Sequence, residues 1–590
     1  MNAAASRVVG QLAIATRRRP RYGTGAALSV FRRTICSKGE GVSAGETGSV
    51  TDDGRDSWQE RGVINTKAVA AGSRSKLATI PRRQLHNAAA TAGEAEEVVM
   101  YSSSTAKKTV DKRELLKAGR GRFAMDKPFP GVPALKPPGE LQRPETLITT
   151  LPNGLRVASQ ETYGALCSFG VIVNAGSRLE TDENTGTCHL LELMAFKSTK
   201  TRSHQQVVSS LEEMGGMHST HGSREQMLFA VDVLRDNLEP ALELLADAII
   251  NAQVTPSEVE EQKAVMALHM EEIMPDVILK ESLMTAAFAR QPLGRPYWCP
   301  PGALQNLDAS MVKSFRERFF TPDNMVLAGA GVDHGELVRL GEKYFGGMMA
   351  GTQSRGASQL VGIPLSRYLG GESRTNVPQE KEKLTRVAVA FQVGGWHDEL
   401  LVATCVLQVL LGGGDSFSAG GPGKGMYSRL YREVLNSRHY WAEAAEAFTM
   451  IHEDNGLLGI AGAAADKIRA GQLMNVFCEH FATLATVPVT QEELSRARNM
   501  LKCNVLTHLE SRLVLFEDIG RQMLTYGRRE SPEEVCRKVD AVTAEDLMMV
   551  ARRALSSPPS LSVVGSDLEG IPTHDQVCSW FGQPLSQAAA

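Results

Sequence analysis

Gly186-Thr187-Cys188-His189-Leu190-Leu191-Glu192-Leu193-Met194-Ala195-Phe196-Lys197 is one ligand short of a zinc-site helix. In the pattern H-x-x-E-H, two imidazoles four residues apart bind zinc, and the glutamate polarises the metal-bound water. His189 and Glu192 hold their places, but the second histidine position is Leu193. Residues i and i+4 lie roughly 40° apart around a helix, so Leu193 faces the same way as His189, and it has no lone pair to offer. A third ligand would have to come from another element, and the helix expected over Pro256–Ile273 is the candidate. It carries Glu258, Glu260, Glu261, Glu271 and Glu272, too many for any one to stand out. Protein ligands to zinc come in threes or fours, so His189 reads first as a satisfied buried histidine. Met266, Met270 and Ile273 at helical spacing read as core. His218 and His221, three apart on an expected strand, point to opposite faces and form no ligand pair.

The flanking sequence alternates strand and helix signals. Thr146 to Ser159 contains two strand-like runs hinged on Pro152-Asn153-Gly154, a hairpin signal. Cys167 to Gly176 reads as a buried strand closed by glycine, and strands follow around Met217–His221 and Glu225–Val231. Helices are expected at Gln205–Met214, Asn237–Asn251 and Pro256–Ile273. The order then repeats: strand at Leu384–Gly394, helix at Leu400–Leu411, strand at Gly456–Gly462 and helix at Ala464–Leu484. A long helix over Thr490–Glu510 is opened by a Thr490/Glu493 capping box. Two α+β units of about 210 residues each fit this length better than one large fold. The boundaries are 141–355 and 376–590, with a Gly-, Ser- and Arg-bearing linker at 356–375.

The N-terminal region is of another kind. Residues 1–40 carry eight Arg or Lys against the single acid Glu40, a charge of +7. The chain total is −3, so the remaining residues sum to −10. An Arg-, Ala- and Ser-rich, acid-poor start without a long apolar core has the composition of a mitochondrial transit peptide. Residues 41–140 are Gly-, Ser-, Ala- and then Pro-rich, and read as a low-complexity, disordered extension. The acidic body argues against nucleic acid and suits basic peptides. No apolar run approaches the ~20 residues that span a bilayer. The nine cysteines are scattered without a C-x-x-C pair, as expected of reduced, packed thiols.

The second strong signal runs from Gly412 to Tyr431. It includes Gly412, Gly413, Gly414, Asp415, Ser416, Gly420, Gly421, Gly423, Lys424 and Gly425. A phosphate loop is excluded, because Lys424 is followed by Gly425 rather than Ser or Thr, and position 418 is Ser where the pattern needs Gly. Seven glycines in fourteen residues leave little side-chain bulk and high backbone freedom. Such a segment can lie along an extended peptide through backbone hydrogen bonds, or can simply be a connector.

The run Gly-Thr-x-His-x-x-Glu-x-Met-Ala-Phe-Lys-x-Thr, with Gly215-Gly216 and Ser223-Arg224-Glu225, resembles the pitrilysin-type metallopeptidases over residues 146–590. It is most similar to the mitochondrial processing peptidases and the related core proteins of the cytochrome bc complex. The resemblance implies two homologous halves, each a mainly antiparallel sheet packed with helices, closing as a clamshell. In active members a glutamate on a later helix completes the zinc site, and that position falls on His269, 76 residues after Leu193. Two of the four positions are thus altered; His189 and Glu192 are a degenerate remnant, and His189 with His269 would be the residual pair for any metal. The glycine run resembles the loop of the processing peptidase's alpha subunits, implicated in presequence recognition, although Asp415 stands where that loop typically carries glycine. Glu517 and Asp518, in a run that also resembles the family, read as structural helix acids. The resemblance implies a non-catalytic, presequence-binding alpha subunit in the mitochondrial matrix, with possible inner-membrane association. No cofactor is expected in this chain; zinc is expected in a partner beta subunit. Two alternatives stay open: a structural core subunit among cytochrome bc proteins, and an independent zinc endopeptidase using His189, Glu192 and His269.

Overall fold

Pro152-Asn153-Gly154 turns the chain between β1 (Leu147–Thr150) and β2 (Arg156–Gln160), which pair antiparallel with Gly154 at φ +92°. The computed structural model describes residues 98–100, 108–110, 144–349, 365–416, 426–436 and 439–582. The transit segment 1–40, nearly all of 41–140, and Gly420, Gly421, Gly423, Lys424 and Gly425 lie outside the described residues. Within the extension, Val98–Met100 pairs antiparallel with Lys108–Val110.

The hairpin forms one edge of a six-stranded sheet with β3 (Leu166–Val173), β4 (Met217–Gly222), β5 (Met227–Leu234) and β6 (Met325–Ala330). The order is β1-β2-β6-β3-β5-β4, and every pair is antiparallel except β2–β6. β3 and β6 are almost entirely buried, which is why their sequences are near-continuous apolar runs rather than alternating ones. The helices of this half are α1 (Thr187–Leu193), α2 (His204–Glu213), α3 (Leu238–Ile250), α4 (Pro256–Glu271), α5 (Pro275–Ala287), α6 (Ala309–Phe319) and α7 (His334–Phe345). The helix expected over Pro256–Ile273 stops at Glu271, because Pro275 holds Met274 extended (ψ 140°) and starts a new helix.

The second sheet contains β7 (Gly371–Asn376), β8 (Thr385–Val393), β9 (Gly413–Asp415), β10 (Ala442–Ile451), β11 (Gly456–Ala464) and β12 (Ser560–Gly565), in the order β9-β10-β11-β8-β12-β7. Its helices are α8 (Leu401–Leu411), α9 (Lys467–Thr486), α10 (Gln491–His508), α11 (Arg512–Tyr526), α12 (Pro532–Ala541), α13 (Ala544–Leu555) and α14 (His574–Trp580). Thr490 and Glu493 form the expected capping box at α10. Set aside β1 and β9, and the two sheets share one plan: β2-β6-β3-β5-β4 against β7-β12-β8-β11-β10, each opening on its only parallel pair. The repeat is therefore real. Residues 371–375, read as linker, are a correction: they belong to β7, the counterpart of β2. Their polar composition reflects a partly exposed edge strand, with the Arg374 guanidinium donating to the Leu568, Ile571 and Pro572 carbonyls.

Each sheet has one face covered by its own helices and the other by a helix of the opposite half. Leu279, Leu283, Met284 and Ala287 of α5 pack on Ala388, Ala390, Leu457 and Val564 of the second sheet. Leu515, Phe516, Ile519 and Met523 of α11 pack on Ala158, Ile172, Ala328 and Ala330 of the first.

Candidate functional site

α1 starts where the backbone needs glycine. Gly186 has φ +95°, and a Cβ there would stand 2.6 Å from Cys299 Sγ. The buried Glu180 carboxylate takes the first helical amides, accepting from Gly186 N–H at 2.9 Å and Cys188 N–H at 2.6 Å. Burial pushes this carboxyl up to about 7, with the two amides opposing the shift. The helix so placed buries His189 among aromatic groups, with Trp298 edge-on at 4.9 Å and the His269 ring centroid at 6.4 Å.

The hydrogen bonds at His189 bear directly on zinc. Cys299 N–H donates to Nδ1 at 3.4 Å, so in the neutral ring the proton sits on Nε2. Burial and the neighbouring His269 push His189 down to about 4, which keeps the ring neutral at physiological pH. A zinc-ligating histidine has the opposite arrangement: one nitrogen gives its lone pair to the metal and the other donates its N–H to an acceptor. Leu193 is half-buried against the first-half core, and His269 is exposed on α4. Among the described residues, no three His, Cys, Asp or Glu side chains are placed to hold a metal ion. The donor set present does not fit zinc.

Glu192 has acquired other partners. Tyr297 Oη donates to its Oε2, and Gly222 N–H at the end of β4 donates to the same oxygen at 3.3 Å. Burial pushes the Glu192 carboxyl up to about 7. Sequence reasoning missed Tyr297, Trp298 and Cys299; the signal was an aromatic and thiol cluster between Pro296 and Pro300-Pro301. Of the acids on α4, Glu258 completes a capping box with Thr255 and accepts from Ser198 N–H at 3.0 Å, which leaves it no ligand role. His218 packs against Phe196 with the rings tilted and their centroids 4.4 Å apart. Asp518 pairs with Arg529 and Glu517 with Arg521, as expected of structural acids.

The glycine run begins as sheet. Gly412 ends α8 at φ +55° and its carbonyl accepts from Ala447 N–H at 2.8 Å. Gly413, Gly414 and Asp415 then pair with Glu446, Ala445 and Ala444 of β10. Ser416 N–H donates to the Glu443 carbonyl at 2.9 Å, and Gly413 N–H donates to Ser428 Oγ at 3.0 Å, tying the two ends of the run together. Gly413 needs its hydrogen, since a Cβ would overlap the Ala445 carbonyl oxygen; Gly414 faces open space. Asp415 is thus a strand residue opposite Ala444. The corresponding strand of the first half, β4, has no such cover among the described residues, and its Met217 is 71% exposed. β10 in turn is fixed to the first half by a 2.9 Å ion pair between Glu446 and Lys280 of α5.

Residues 156–301 match the model of the insulinase family, peptidase family M16, and residues 306–501 match the model of the M16 inactive domain. The chain belongs to peptidase family M16. This M16 chain is 37% identical over 462 residues to a probable mitochondrial-processing peptidase subunit alpha-1 of Arabidopsis thaliana, covering 78% of this chain and 89% of the relative. It is 34% identical over 482 residues to the mitochondrial-processing peptidase subunit alpha of Homo sapiens (77% and 90%). The subunit alpha of Solanum tuberosum is 37% identical over 448 residues (75% and 86%). The M16 inactive-domain match takes in the whole glycine run, and the first M16 match ends just past the Tyr297 cluster that occupies Glu192.

Proposed function

We propose that this chain is the non-catalytic alpha subunit of a mitochondrial processing peptidase, acting in the matrix. It binds cationic presequences and presents them to a beta subunit that carries the zinc. The observation that carries this reading is the state of the His189 helix. Leucine stands in the second ligand place, the His189 tautomer is set by Cys299, and Glu192 is occupied by Tyr297 and Gly222. A chain so arranged keeps the scaffold of a peptidase and leaves hydrolysis to a partner. Its −10 body charge supplies long-range attraction for arginine-rich peptides that salt would screen. Gly413–Asp415 gives the glycine run a fixed base on the sheet edge.

The test is presequence cleavage by the chain alone, by a beta subunit alone and by the two together. Only the pair is expected to turn over. Deleting residues 417–425, which leaves β9 in place, should lower turnover with the heterodimer still assembled. Unchanged turnover would refute the loop's role. Cleavage by the lone chain, with one equivalent of zinc retained after gel filtration, would refute the reading as a whole.

A further inference from the structure

A cavity of about 880 Å³ opens between the end of α8, the π-helical turn Tyr431–Leu435 and one face of α10. Its volume lies within the range of small-molecule sites. Val409, Leu410, Met426, Tyr427, Tyr431 and Met500 supply apolar and aromatic walls, and methionine thioethers adapt to a flexible apolar guest. It adjoins the glycine run at Met426 and Tyr427, but none of the residues named for presequence binding or for the remnant site lines it.

The charges at its mouth are lopsided. Glu493, the one acid in the lining, is neutralised by Arg429 at 3.0 Å and occupied by the Thr490 capping box. The two lining cations are Arg432 and Arg496. Arg432 is exposed and makes no ion pair among the described residues. Arg496 leans over the Tyr427 ring at 5.9 Å, and its carboxylate partner is Glu492 one helical turn back, an 80% exposed acid whose hold is weak. An apolar chamber with two guanidinium groups at its mouth complements an apolar body with one anionic head. It also has the wrong sign for an arginine-rich presequence. Its walls are side chains of helices and of the turn 426–428 rather than a strand edge, so an extended peptide would find no strand to pair with there.

We propose that this cavity binds a long-chain fatty acid, with the alkyl chain against the methionines and tyrosines and the carboxylate between Arg432 and Arg496. The test uses the full chain and displacement of a fluorescent fatty acid by oleate below its micellar concentration. Oleate is expected to bind one to one and more tightly than oleyl alcohol. In R432Q/R496Q its affinity should fall about tenfold, to near that of the alcohol, whose own binding is unchanged. Met500→Trp, which narrows the chamber, should weaken displacement by both ligands alike; R432Q/R496Q alters only the rim and keeps the test independent of core packing. Equal binding of oleate and oleyl alcohol, or an unchanged oleate affinity in R432Q/R496Q, would overturn the proposal. Stoichiometric displacement of the probe by an arginine-rich presequence peptide would also overturn it, in favour of a peptide groove.

Discussion

Glu192 and Gln differ by one proton-binding site, and both can accept from the Tyr297 hydroxyl and the Gly222 amide. That makes E192Q a clean probe of the remnant site. Burial pushes the Glu192 carboxyl up to about 7, against 4.5 as the ordinary value. Between those values the folded protein holds a proton that the unfolded chain has lost. Stability therefore falls as pH rises through this window, and the penalty is complete above about pH 7. The full shift would be worth roughly 3 kcal/mol, but the Tyr297 hydroxyl favours the ionised form and the side chain is only partly enclosed, so about 1–2 kcal/mol is expected. E192Q should match the wild type at pH 5 and be more stable at pH 8, as read from urea midpoints at the two values. Glu180 is present in both proteins and cancels from the comparison. Equal midpoint differences at both pH values would show that Glu192 is ionised throughout. The same residue scale decides metal binding: with its proton on Nε2, His189 should not retain zinc, and dialysed protein analysed by elemental mass spectrometry should contain far less than one equivalent.

At the scale of single elements, β9 separates two glycines that look alike in sequence. G413V drives a side chain into the Ala445 carbonyl at a residue with φ +103°, whereas the Gly414 side meets nothing within contact. G413V should detach β9 from β10 and lower presequence processing several-fold with heterodimer assembly intact; G414A should cost only backbone strain, about 1 kcal/mol. Limited proteolysis near residue 416 would report the difference. Much at this scale was legible in the sequence, for local reasons. The Pro152-Asn153-Gly154 turn, the apolar run closed by Gly394 and the Thr490/Glu493 box are each written within a few adjacent residues. The role of β7 was not, because Gly371 to Asn376 owes its strand state to a parallel partner almost two hundred residues away. The Tyr297–Glu192 contact was hidden in the same way. The Leu193 substitution showed what the site lacks, but nothing local showed what had taken up the carboxylate.

In the whole molecule, α5 and α11 each bury an apolar face against the sheet of the opposite half, a destination that no local sequence signal specifies. The result is an exchange: each half lends a helix to the other. A buried ionic lock adds to it. Arg178 donates to Glu225 at 2.7 Å and bidentately to Asp454 of the opposite half, with all three side chains under 10% exposed. Asp454→Ala should cost about 3–5 kcal/mol by stranding part of that buried charge. The exchanged helices make a stronger demand. A fragment of residues 144–349 would leave the α11-covered face of its sheet, including Ala158, Ile172, Ala328 and Ala330, open to water, and would expose its own α5. A fragment of residues 365–582 would suffer the converse. Large exposed apolar faces favour association over a stable monomer. Neither fragment should therefore show a cooperative unfolding transition alone, whereas the two co-expressed should purify as a one-to-one complex that unfolds as a unit. Phe516→Ala in the second fragment removes a ring packed on the first sheet and should weaken that complex by about 3–5 kcal/mol. Independent, cooperative folding of residues 144–349 as a monomer would show that the helix exchange is not needed for the first half to hold its structure.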